Sequence, residues 1–190
     1  MYKNLEKFND LVEAFEMLPT IGKKSAIRLA YYIVTQNSYI GMKLSHSIEN
    51  AIRGITICKE CNSISENEIC HICLDTNRQN NSLCIVQNAK DIFTIENSKQ
   101  FNGKYFVLEE LDEIYLDQLK KLVQTREIKH ILFAITPSLA NDAFILYIED
   151  QLKEFNITFT KIAQGVPTGV SLENVDILSL SKAIKGQINI

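Results

Sequence analysis

The sequence predicts a modular α+β protein in which a helical first third leads through a metal-stapled segment into a small parallel α/β sheet and a short tail. Three observations carry that expectation. Apolar residues recur at helical spacing up to residue 55, four cysteines fall in two close pairs between 58 and 73, and from residue 82 short β-prone runs alternate with helical stretches. Strands that alternate with helices in this way imply parallel pairing through right-handed crossovers. The 190 residues accordingly divide into 1–55, 56–78, 79–163 and 164–190.

In the first part, Leu5, Phe8, Val12 and Phe15 form one apolar stripe. Ala26, Ile27, Ala30, Ile33 and Val34 form a second, with Lys24 and Arg28 together on a more polar face. Leu18 to Gly22 makes the turn between them, and a third helix is expected around Leu44, Ile48, Ile52 and Ile55. Further on, Leu83–Val86, Tyr105–Leu108, His130–Ile135 and Ile157–Ile162 read as strands. Between them 88–97, Leu116–Gln124 and Leu139–Phe155 read as helices, the last with Phe144, Ile148, Leu152 and Phe155 inward. The tail carries a Gly165-Val-Pro-Thr-Gly169 turn and a short helix around Leu180 to Ile184.

Composition narrows the class. With 46% hydrophobic and 23% charged residues, 7 Gly and 3 Pro, the chain buries a core and is neither disordered nor collagen-like. No apolar run approaches the roughly 20 residues that span a bilayer, and the start MYKNLEKFND lacks an apolar signal core, so a cytoplasmic protein without membrane contact is expected. Net charge is −3, yet residues 1–57 carry seven Lys or Arg against five acids, while Tyr105 to Leu119 carries five acids and no base. Contact with nucleic acid is therefore expected at the N-terminal end. The acidic run from Glu109 to Asp117 reads as a solvated surface, or alternatively as a dock for a basic partner.

The strongest local signal is Cys58-x2-Cys61-x8-Cys70-x2-Cys73. Each pair pinches one tetrahedral ion, and four thiolates satisfy Zn²⁺ with no position left for water, so one structural zinc is expected. Two disulfides are the rival reading, disfavoured in a reducing compartment. His71 is a lesser candidate ligand beside four thiols, and Cys84 reads as a small apolar residue of a buried strand. His46 and His130 have no Cys or His partner at ligand spacing.

Leu18-Pro-Thr-Ile-Gly-Lys-Lys-Ser-Ala26 is similar to a helix-hairpin-helix, whose turn aims the free N–H groups of its second helix at a phosphate. Thr20 occupies a place where the pattern usually has Gly, and a plain αα-hairpin with surface lysines is the bland alternative. Lys23, Lys24 and Arg28 are the candidate DNA contacts. Gly22-Lys-Lys-Ser25 lacks the upstream Gly and the preceding strand of a Walker A loop.

Taken in order, these parts resemble the RecR family of bacterial recombination mediators over nearly the whole chain. The most specific stretch is Ile162-Ala-Gln-Gly-Val-Pro-Thr-Gly169 followed by Leu172-Glu-Asn-Val-Asp176. The resemblance implies a helix-hairpin-helix, a four-cysteine zinc finger, a Toprim domain and a Walker-B-like tail in which Asp176 is the acidic residue or, more blandly, a cap. It further implies a DNA-binding ring, commonly a tetramer, that works with RecO and RecF to load RecA in recombinational repair. Where Toprim enzymes hold Mg²⁺ with carboxylates, this chain has Gln87 and then Ala140-Asn141-Asp142, while Asp91 is expected near a helix N-terminus. Gln164 replaces a common His, and Glu109 to Glu113 replaces a Gly-rich segment. A non-enzymatic role is therefore expected over the alternative, a Mg²⁺-dependent phosphoryl-transfer enzyme; a zinc-stapled adaptor that binds only proteins is a third reading.

Overall fold

The computed structural model describes residues 3–186, so the last four residues of the 164–190 segment lie outside the described residues. The chain forms two compact units, Met1–Ile55 and Thr56–Ile190.

In the first unit, α1 (Glu6–Glu16) and α2 (Lys23–Tyr31) pack through Val12, Ala26 and Ala30, flanked by Phe8, Leu11, Phe15, Ile21 and Ile27. The two alanines keep α2 thin at the contact, which lets the helices approach. A π-turn, Tyr32–Gln36, then widens the coil before α3 (Ser38–Gly54), whose N-terminus is capped by the Asn37 side chain accepting from the Ile40 N–H at 3.1 Å. That turn corrects the second stripe: α2 stops at Tyr31, the spacing slips, and Val34 points to solvent. No residue of α3 is buried, and Leu44, Ile48 and Ile52 lie exposed along it.

The second unit opens with a short antiparallel hairpin, β1 (Thr56–Ile57) with β2 (Ile64–Ser65), and a single turn α4 (His71–Leu74). Strands of two residues are too short to show a period, so the sequence does not announce them. The main sheet then follows as β3 (Ser82–Val86), α5 (Ala89–Ser98), β4 (Lys104–Val107), α6 (Glu113–Thr125), β5 (His130–Phe133), α7 (Leu139–Gln151) and β6 (Thr158–Lys161). Its order is β4-β3-β5-β6, every pair parallel, with Ile85 opposite both Phe106 and Phe133.

Alternation along the strands feeds two cores. Leu83, Ile85, Phe106, Ile131 and Phe133 meet Leu119, Leu122, Val123, Phe144, Ile148 and Leu152 of α6 and the α7 end. Cys84, Val86, Tyr105 and Val107 face the other way, onto Ile92 of α5 and all four cysteines of the 58–73 segment. The metal-binding segment therefore borrows its core from the sheet.

Element boundaries differ from expectation at several places. The α7 helix ends at Gln151 rather than Phe155, although Phe155 still packs on the same core. The last predicted strand run shortens to Thr158–Lys161, and β5 stops at Phe133. Helix α6 begins early because the Asp112 carboxylate caps it, accepting from the Ile114 N–H at 2.7 Å, so part of the acidic run is a helix N-terminus. Beyond the sheet, Gly169 takes φ +81° in the tail turn, and Asp176 caps α8 (Ile177–Lys185) by accepting from the Ser179 N–H at 2.9 Å. Asp176 thus acts as the cap that the blander reading of the tail expected.

Candidate metal centre and nucleic-acid interface

The tight turns after β1 and before α4 bring the sulfurs of Cys58, Cys61, Cys70 and Cys73 within 4.8 Å of one another, all buried. Cys58 to Cys73 is 4.0 Å and Cys61 to Cys70 is 3.6 Å. A tetrahedron with Zn–S bonds of about 2.3 Å has edges of about 3.8 Å, so this cage fits one zinc. The turns also supply N–H···S bonds, Cys70 N–H to Cys58 Sγ at 3.3 Å and Cys73 N–H to Cys70 Sγ at 3.5 Å, which orient the ligands. Hydrogen bonds from Cys61 and Cys73 hold the Cys70 thiol far below the usual thiol range, while the bond to Cys70, with burial, pushes Cys61 up and the bonds to Cys61 and Cys70, with burial, push Cys73 up. His71 is exposed and outside the cluster; Cys84, buried in β3, has its thiol pushed up to about 12 by desolvation, as a structural residue should.

Groups that single-sequence reasoning missed tie this cage to the sheet. The Val107 N–H donates to the Cys61 carbonyl at 2.8 Å, and Arg126 grips Glu60, between the first two cysteines, with Nε and Nη2 each at 2.8 Å. No sequence signal pairs residues 66 positions apart.

At the carboxyl ends of β3 and β5 the sheet changes winding direction, which is where α/β sheets open a ligand crevice. Here Gln87 Nε2 donates to Asn141 Oδ1 at 3.0 Å, and Asn141 Nδ2 donates to the Thr136 carbonyl at 2.7 Å. Asp142 is held by Lys161 at 3.1 Å. Neutral amides bridge these strand ends, and Asp142, next to Asn141 in sequence, already has a cation. Asp91 lies in the first turn of α5, as expected.

In the first unit, Gly22 is the N-cap of α2, and the first helical bond runs from the Ala26 N–H to the Gly22 carbonyl at 3.0 Å. The N–H groups of Lys23, Lys24 and Ser25 precede it and have no backbone acceptor. Lys23, Lys24 and Arg28 are exposed and make no ion pair among the described residues. Such an end accepts an anion by dipole and charge together. Thr20, where the hairpin pattern favours Gly, sits at φ +69°, a left-handed conformation costly for a β-branched residue. Thr20→Gly is expected to stabilise the unit by about 0.5–1 kcal/mol, strain relief outweighing the added unfolded-chain entropy; a denaturant titration showing a loss of stability would contradict this.

His46 bonds Asn50 at 3.0 Å and His130 bonds Thr160 at 2.8 Å, satisfied surface groups both. No helix among the described residues is long and apolar enough to cross a membrane.

Residues 8–52 match a family model described as the RecR helix-hairpin-helix, and residues 55–75 match one described as the RecR four-cysteine zinc finger domain. The chain is 56% identical over 184 residues to the recombination protein RecR of Campylobacter jejuni subsp. doylei, covering 97% of each. It is 53% identical over 190 residues, the full length of both, to that of Nitratiruptor sp., and 47% identical over 188 residues to that of Helicobacter pylori strain G27, covering 98% and 97%.

Proposed function

This chain belongs to the RecR family of recombination proteins, and from that premise we propose that it is a non-enzymatic, cytoplasmic DNA-binding scaffold whose subunits close into a ring, most simply a tetramer, that works with RecO and RecF to load RecA onto single strands. The single observation that carries the DNA contact is the start of α2, where Lys23, Lys24 and, one turn on, Arg28 stand exposed beside N–H groups without backbone acceptors. These groups read phosphate and not base identity. The functional division is 1–55 for DNA, 56–78 for zinc, 79–163 for the sheet and 164–190 for the tail.

Self-association is supported by two exposed apolar surfaces. Ile40, Leu44, Ile48 and Ile52 recur every fourth residue on α3, and Ile177, Leu178 and Ile184 are exposed on α8. A ring needs two contacts per subunit and gathers the positive α2 ends of several copies, so an acidic chain still offers a basic hole. The amide bridge between Gln87 and Asn141 supports the absence of phosphoryl transfer, because Mg²⁺ needs anionic oxygens there.

Light scattering of the zinc-loaded chain, with and without DNA, tests this reading. Four-subunit particles that take up DNA and leave its strands intact in Mg²⁺ are expected. A monomer indifferent to DNA would overturn the scaffold, and strand cleavage abolished by Asp142→Asn would reinstate the enzyme.

A further inference from the structure

Lys104, the first residue of β4, is 3% exposed. Among the described residues it is the one charged side chain in the buried set, beside Asn9 and Ser63. Its Nζ donates to the carbonyls of Ile72, Cys73 and Asp75, each at 2.8 Å, so all three ammonium N–H bonds are used. All three acceptors lie at the second cysteine pair, and one belongs to the ligand Cys73. No carboxylate pairs with Lys104 among the described residues; the nearby Asp75 carboxylate serves Arg78 and the Asn77 N–H. A buried ammonium held only by neutral carbonyls is costly unless a negative charge lies close. Four thiolates around Zn²⁺ leave a net charge of −2 one residue away. Arg126 differs in that its charge is already paired with the Glu60 carboxylate.

We propose that Lys104 is a positioning residue of the zinc centre, its ammonium offsetting part of the thiolate charge while its three hydrogen bonds fix the second cysteine turn against the sheet. This rests on the assignment of zinc to the four cysteines. Without metal the second cysteine turn loses the ion that holds it, and Lys104 is left with three neutral carbonyls and with the Asp75 and Glu60 carboxylates, which already pair with Arg78 and Arg126. The side chain therefore favours the zinc-loaded state specifically, and does not act as general packing.

The test compares the full chain with Lys104→Met, similar in length but without charge or donors. Zinc per chain is measured first, and its absence from the unmutated protein overturns the zinc assignment independently of Lys104. Zinc transfer to a chromogenic chelator and thermal melting of the loaded and stripped forms follow. Transfer is expected to be 10–100-fold faster in the variant, the usual effect of losing an outer-shell partner. The loaded variant melts lower, while the stripped proteins melt together or the variant higher. Equal losses in loaded and stripped forms, or unchanged transfer, overturn the proposal. If Lys104→Met does not fold, Lys104→Arg, which keeps the charge, is expected to fold and hold zinc; its failure to do so is equally an overturning result.

Discussion

Replacing Cys58 by Ser is expected to strip the metal and unfold one side of the second unit. Cys58 belongs to a core shared among the four cysteines, Ile72, Cys84, Val86, Ile92, Tyr105 and Val107, so the cage and that sheet face stabilise each other. The segment from 56 to 74 has little beyond two two-residue strands and one helical turn to hold it, and zinc binding supplies its folding free energy. A loss of roughly 3–5 kcal/mol, the scale of breaking a buried charged constellation, lowers the melting temperature of a unit this size by roughly 10–20 °C. The α1–α2 hairpin keeps its own core of Val12, Ala26 and Ala30 and should retain its helicity. Elemental analysis together with circular dichroism reads both effects; full zinc occupancy or an unchanged melt would contradict the shared core. Because the four cysteines bind zinc as thiolates, affinity for the metal is expected to fall as pH falls, and zinc release in an acid titration checks this.

Features with a repeating or spaced chemical signature are legible in the sequence. Two cysteine pairs define the cage, the Leu83–Val86 and His130–Ile135 runs mark central strands, the second overshooting its end at Phe133, and the Lys23–Lys24 pair after Gly22 defines the start of α2. What stays hidden depends on distant partners. Lys104 reads as an ordinary strand-edge lysine until β4 is laid beside the second cysteine turn, and Glu60 and Arg126 meet only once α6 is folded. The π-turn at Tyr32–Gln36 has no proline or glycine to mark it, so the apolar stripe reads one turn too far. Thr20 is marked by its departure from a pattern, and its positive φ supplies the physical content of that departure.

Changing Lys23 and Lys24 together to Glu is expected to weaken DNA binding on every sequence tested. The four-unit change of charge falls at the end of α2, where the dipole and the free N–H groups of the first turn would otherwise draw a phosphate. Both residues are exposed and lie off the Val12–Ala26–Ala30 contact, so folding, zinc content and assembly should be retained. In a ring every subunit gives up its phosphate at once, which multiplies the effect.

The most direct measurement is the affinity of the zinc-loaded, folded double variant for DNA across a range of salt concentrations, set against the unmutated chain. A scaffold that holds phosphates through the α2 end predicts weaker binding and a slope of log K against log salt that is shallower by about 0.7 to 0.9 for each phosphate no longer held. Unchanged affinity with an unchanged slope would make the hairpin a plain αα-corner and contradict the account.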